Sequence, residues 1–156
     1  MNARMEIDQF AKTAEAVTTA LRAMSKAVTD SGLDPGLIEL IKIRASQQNG
    51  CAFCTQFHLN AARRLGVAEP KLGLVAVWRD AGIFTPRENA ALAWTEALTS
   101  LTPAGVSDEA YAAAAKEFGT SELAFLTSAV AAINAWNRIA MAYRFAPPIP
   151  QEGKLE

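Results

Sequence analysis

Apolar residues recur at intervals of three and four along almost the whole chain, a spacing that predicts helices. Over residues 7–28 they fall at Ile7, Phe10, Ala14, Val17, Leu21, Met24 and Val28, one stripe of a 3.6-residue repeat. Ser31-Gly32 stops that segment, and Asp34-Pro35 opens the next with an N-cap residue and a proline at the first helical position. This second helix is predicted over 35–49, with one acid, Glu39, set among Leu37, Ile38, Leu40, Ile41 and Ile43. Gly50 ends it, and a third helix is predicted over 51–65, closing at Gly66. A short helix over 70–80 ends near Gly82. Thr85-Pro86-Arg87-Glu88 is a capping box with proline at N1, starting a helix to about residue 101. Ser107 opens an alanine-rich helix to Phe118, and Thr120 or Ser121 caps a last long helix to about residue 144. No stretch alternates with period two for long enough to make a strand. The fold expected is therefore all-α: a single-domain bundle of about seven helices over residues 1–146, then a proline-rich tail, 147–156, broken by Pro147, Pro148 and Pro150.

Composition narrows the function. Fifteen basic and sixteen acidic side chains leave a net charge of −1, which supplies no basic footprint for nucleic acid. Glu6 and Asp8 stand where an export signal would carry its apolar run, so the chain is expected in the cytoplasm, where thiols stay reduced. The most apolar stretch, residues 123–136, is interrupted by Thr127, Ser128 and Asn134 and is too short to span a bilayer. In a reducing compartment a Cys-x-x-Cys reads as redox or metal chemistry before structural disulfide.

Such a motif is present once, as Cys51-Ala52-Phe53-Cys54, and the chain's only histidine, His58, follows three residues later. These are the only two cysteines. On a helix starting at Cys51, positions 51, 54 and 58 share one stripe. Two cues then compete for the reactive thiol. The helix N-terminus favours a thiolate at Cys51, whereas His58 lies one turn after Cys54 and serves it as a base. Glu39 lies on a helix face that continues toward Gly50, so folding back of the next helix would carry it toward the cysteine turn. An alternative use of Cys51, Cys54, His58 and Glu39 is a four-ligand zinc set, although two cysteines and a histidine on one helix is not a usual structural zinc spacing. A c-type haem site is excluded because Thr55 follows Cys54. A redox switch or general disulfide oxidoreductase uses the same dithiol.

Glu39, eleven residues, Cys51-x-x-Cys54, three residues and His58 together resemble the signature of the AhpD-like alkylhydroperoxidases, in the carboxymuconolactone decarboxylase superfamily. The resemblance covers residues 34–101. It implies a thiol-dependent peroxidase with Cys54 as the peroxide-attacking thiolate, Cys51 as the resolving thiol, and Glu39 and His58 as a proton relay. It implies a reversible Cys51–Cys54 disulfide with no bound prosthetic group, a small hydroperoxide as substrate, and a dithiol electron donor, among which a lipoylated protein is the family's example. Family members are commonly trimers or hexamers. One departure stands out: the best-studied members carry a histidine immediately before the second cysteine, where this chain has Phe53. The decarboxylases of the superfamily generally lack the cysteine pair.

The remaining aromatics read as core. Trp78, Trp94 and Trp136 sit at helical spacing, and Phe53 and Phe57 either line the thiol pocket or pack beneath it. Arg63-Arg64 reads as a solvated helix end. The last helix, with Leu123, Phe125, Leu126, Val130, Ile133, Trp136, Ile139 and Met141, is apolar over more than one face, and a subunit interface is one place to bury it.

Overall fold

The computed structural model describes residues 2–150; the last six positions of the tail lie outside them. Among the described residues there are nine α-helices and one 3₁₀ turn: α1 (Ile7–Thr13), α2 (Glu15–Thr29), α3 (Pro35–Asn49), α4 (Ala52–Arg64), α5 (Glu69–Leu74), the 3₁₀ turn (Val75–Val77), α6 (Trp78–Ala81), α7 (Pro86–Thr99), α8 (Asp108–Glu117) and α9 (Thr120–Tyr143). No named strand occurs among them, as the periodicity predicts.

The count exceeds seven because two predicted helices are broken. Ala14, at φ −117° and ψ 51°, divides the first. The bend lets α1 lay Phe10 against Tyr143 and Phe145, with ring centroids 5.3 and 6.0 Å away, while α2 runs along α9. The short helix after residue 68 tightens at Val75–Val77, where three-residue spacing turns Val75 and Trp78 inward together. The start of the last helix also differs by a residue. Gly119 occupies the N-cap, and the Glu122 carboxylate accepts its backbone N–H at 3.0 Å, in place of a hydroxyl cap from Thr120 or Ser121. The other boundaries follow the caps. Asp34 accepts from Leu37 N–H at 2.7 Å, and Thr85 and Glu88 form the reciprocal capping box.

Helix α3 is central, packing on α4, α7 and α9. Its side chains feed all three apolar clusters of the core. Leu37, Ile38 and Ile41 join Trp94, Leu126 and Val130; Leu40 and Ile43 join Trp78, Phe84 and Leu92; Ala45 joins Cys51, Cys54, Phe10 and Ile133. Burial on several sides fits the apolar run from Leu37 to Ile43 in the first half of α3. Helix α9 packs against α2, α3, α4, α7 and α8, so its several apolar faces find partners within the chain. Trp78 and Trp94 are core residues, as expected; Trp136 packs on the core but also lines a cavity. No helix is long and apolar enough to cross a membrane among the described residues.

A polar hub pins the central pair of helices. Glu96 of α7 accepts from Arg44 Nε of α3 at 2.6 Å and from Trp78 Nε1 at 2.9 Å, and it also pairs with Arg79. Its side chain is largely buried, so removing it strands an indole N–H and a guanidinium. Glu96→Ala should lower the unfolding free energy by about 2–3 kcal/mol, whereas Arg79→Ala, at an exposed partner, should cost under about 1 kcal/mol. Urea denaturation of the two variants checks this; equal, small losses would contradict it.

Candidate active site

The α3–α4 junction builds the site. Asn49 ends α3, and Gly50 takes the left-handed conformation (φ 74°, ψ 26°) that side chains other than glycine and asparagine adopt only with strain. The chain reverses there, and Cys51 becomes the N-cap of α4. Its Sγ accepts the backbone N–H of Cys54 at 3.3 Å, a role usually filled by a hydroxyl or carboxylate. The sequence stripe is therefore real, with Cys51 half a step outside the helix proper.

Both cysteines are free thiols and both are buried. They are tied to each other. The hydrogen bond with Cys54 draws the Cys51 pKa down against its burial, with its backbone contacts adding to that effect. The same thiol–thiol bond, followed by burial, drives Cys54 up, and the Asn137 side chain pulls the other way. Between the two thiols, a negative charge is thus favoured at Cys51, at the helix start, over Cys54.

Glu39 and His58 form the second pair. Reversal at Gly50 lays α4 back along α3, and His58 Nδ1 comes to 2.7 Å from Glu39 Oε2. Lys42 Nζ donates to the other oxygen, Oε1, at 2.9 Å. Burial raises the Glu39 carboxyl, but His58 and Lys42 outweigh it and hold it below the usual carboxylate range. Burial also dominates at His58 and lowers its pKa despite the carboxylate. At neutral pH the pair is therefore a carboxylate and a neutral imidazole. The carboxylate accepts from Nδ1–H, which leaves the Nε2 lone pair free to act as a base.

The two pairs meet across a cavity rather than through a bond. A space of ≈ 260 Å³ is lined by Cys54 and His58, by Phe53, Phe57, Ile133 and Trp136, and at its polar side by Arg22 and Lys42. The expected hydrogen-bonding contact between His58 and Cys54 does not form among the described residues; the relay groups face the thiol over this space. Phe53 and Phe57 are wall residues, their rings stacked with centroids 6.0 Å apart. Cys51 opens on a different groove, beside Gln47, Thr55, Gln56, Pro147 and Ile149. Asn60 Nδ2 donates to the Pro148 carbonyl at 2.9 Å and fastens the tail there. No group of three or more His, Cys, Asp and Glu side chains comes together to hold a metal among the described residues, so the alternative zinc set is not assembled. Arg63 is not merely solvated, since its Nε pairs with Glu69 at 2.7 Å.

Two contributors escape the sequence pattern. Lys42 was readable as the i+3 neighbour of Glu39. Asn137 was readable only as the second amide, with Asn134 three residues before it, on one face of an apolar helix.

The model of the family described as "Carboxymuconolactone decarboxylase family" matches residues 14–97. The uncharacterized protein YdfG of Bacillus subtilis is 35% identical over 119 residues, spanning 76% of this chain and 81% of its own. A crystal structure of a protein of unknown function from Agrobacterium tumefaciens, provisionally named as the antioxidant defence protein AhpD, superposes with a TM-score of 0.88 at 36% identity. It covers 96% of this chain and 100% of its own. The debrominase Bmp8 shares the fold alone, with a TM-score of 0.78 at 19% identity over 87% of this chain and 73% of its own.

His58 and Glu39, both largely buried, contribute to the acid stability. His58, with its folded pKa below that of the unfolded chain, binds its proton more readily unfolded, so stability declines as pH falls through the ordinary histidine range. Glu39, also lowered, adds stability above its unfolded pKa that is lost at lower pH still, as its folded pKa is crossed. Melting temperature should therefore drop between pH 7 and pH 5, and His58→Gln should flatten the first part of that drop. An unchanged slope in the variant would contradict the buried neutral imidazole.

Proposed function

The chain belongs to the carboxymuconolactone decarboxylase family as an AhpD-like member, and within it we propose a thiol-dependent peroxidase that reduces organic hydroperoxides through Cys54 and Cys51. The observation that carries this reading is the shared lining of one apolar cavity by Cys54 and by a His58 that Glu39 holds through Nδ1. The walls of Phe53, Phe57, Ile133 and Trp136 suit an organic body better than hydrogen peroxide alone.

The steps balance without a prosthetic group. Cys54 sulfur attacks the terminal oxygen of ROOH, the O–O bond breaks, and Cys54 becomes a sulfenic acid. The proton from the Cys54 thiol passes across the cavity to His58 Nε2, with Glu39 stabilising the imidazolium, and then to the departing RO⁻ to give ROH. Cys51, whose thiolate the helix start favours, next attacks Cys54 sulfur. The S–O bond breaks, hydroxide leaves and takes up a proton as water, and the disulfide forms. An external dithiol reduces it by exchange, becoming a disulfide itself. The open groove beside Cys51 is where that donor would enter, and a lipoyl-type dithiol is the kind we propose.

A second reading follows from Cys51 itself. A low-pKa thiol at a helix N-cap is also the arrangement of disulfide oxidoreductases, in which the first cysteine attacks. The two readings separate by trapping. With Cys51→Ser, a hydroperoxide should leave a sulfenic acid on Cys54 that a dimedone-type probe labels, and Cys54→Ser should label weakly; the reverse pattern selects the oxidoreductase. In turnover with cumene hydroperoxide and a dithiol, Glu39→Gln and His58→Gln should each lose roughly 10²–10⁴-fold in kcat/KM. Full activity in both variants would remove the relay from the mechanism.

A further inference from the structure

The cavity that Cys54 and His58 share carries more positive charge than the relay uses. Glu39 is ionised, the Lys42 ammonium balances it at 2.9 Å, and His58 is neutral at pH 7. Arg22 of α2 lines the same cavity and adds a second positive charge that nothing balances. Among the described residues it enters no ion pair. Asp8 and Glu15 share a neighbouring groove with Arg22, and neither pairs with it. Ser25, the cavity residue one turn on from Arg22, donates its hydroxyl proton to the Leu21 carbonyl at 3.1 Å, so it has no donor left for a ligand. The Arg22 guanidinium is therefore a charged donor group at the cavity with no carboxylate of this chain to meet it.

We propose that Arg22 is a substrate-binding residue, and that the hydroperoxide this cavity takes carries a carboxylate which the guanidinium holds. This rests on the reading of the cavity as the hydroperoxide site. A guanidinium is planar and presents paired N–H groups that match the two oxygens of a carboxylate. One unbalanced positive charge suits one carboxylate better than a phosphate, which carries close to two negative charges at neutral pH. Phe53, Phe57, Ile133 and Trp136 then take the hydrocarbon part. At ≈ 260 Å³ the space falls just short of the usual range of about 300–1,000 Å³ for small-molecule pockets, so the acid is compact, aromatic or short-chained. Arg22 is exposed, and an exposed arginine can also lay its stem over apolar surface with its head in water. A stem in that role does not discriminate between a charged and a neutral substrate of one shape, so discrimination by charge decides the matter.

The test compares two cumene hydroperoxides, one with a para carboxylate and one with a para carboxamide, which share the peroxide and nearly the same shape. With a dithiol donor, the wild-type protein should prefer the carboxylate by about tenfold in kcat/KM. In Arg22→Gln that ratio should fall to near one, through a higher KM for the carboxylate, and Arg22→Lys should restore part of it. Lys12→Gln removes a positive charge from the neighbouring groove and none from the cavity, so it should keep the wild-type ratio. A wild-type ratio near one, a ratio that survives Arg22→Gln, or an equal fall in Lys12→Gln would overturn the proposal. A wild-type protein that consumes neither hydroperoxide would sink the peroxidase reading, and binding then judges Arg22. Calorimetric titration with the para-carboxylated cumyl alcohol should show about tenfold tighter binding to wild type than to Arg22→Gln, and equal binding would overturn the proposal.

Discussion

Between Asn49 and Ala52 the chain ends one helix and begins another with two residues to spare, and the site depends on how it does so. Gly50 takes the left-handed turn that terminates α3, and Cys51 then serves as the cap of α4. The reversal makes α3 and α4 neighbours along their length. It therefore places Glu39, three turns before the glycine, against His58, two turns after it. The same turn leaves one cysteine on the helix end and puts the other a turn inside. One backbone conformation thus sets both the dithiol and the carboxylate–imidazole pair.

The electrostatics follow from burial in an apolar cluster. Neither pair is left as isolated charge. Glu39 is ionised because an imidazole and an ammonium hold both its oxygens, and the imidazole stays neutral because it is buried. The bond between the thiols favours the charge at Cys51, near the helix start, so under the proposed reading Cys54 must give up its proton across the cavity to attack. Phe53 occupies the place where the resembled family's best-studied members have another histidine, and here it packs edge-on to Phe145 at 5.5 Å and walls the cavity. The substitution trades a relay group for apolar surface, consistent with an organic hydroperoxide.

Much of this was legible in the residues, because it is written in local rules. Caps, prolines and glycines placed helices at nearly the right limits, and the stripe of Cys51, Cys54 and His58 needed only the helical repeat. Glu39 stood out as an acid among hydrophobes. What the pattern missed is nonlocal. The break at Ala14 answers to Tyr143 and Phe145, far along the chain. The amide network joins Asn49 to Asn134 and Asn137 across two helices, and polar residues in an apolar helix do not reveal their partners. His58 and Cys54 are four residues apart, yet their side chains meet through a cavity, which spacing on one helix cannot foretell. Fold alone does not choose the reaction either, since a debrominase is built on the same helices at 19% identity.

The central claim is that the two thiols act as one two-electron unit on a hydroperoxide. It is tested most directly by a single anaerobic turnover: the fully reduced protein is mixed with one equivalent of cumene hydroperoxide, and free thiols, alcohol product and peptide-mapped disulfides are measured together. The account predicts two thiols lost for each alcohol formed, all within one chain as a Cys51–Cys54 disulfide. Alcohol without thiol loss, or thiols that survive the peroxide unchanged, would contradict it.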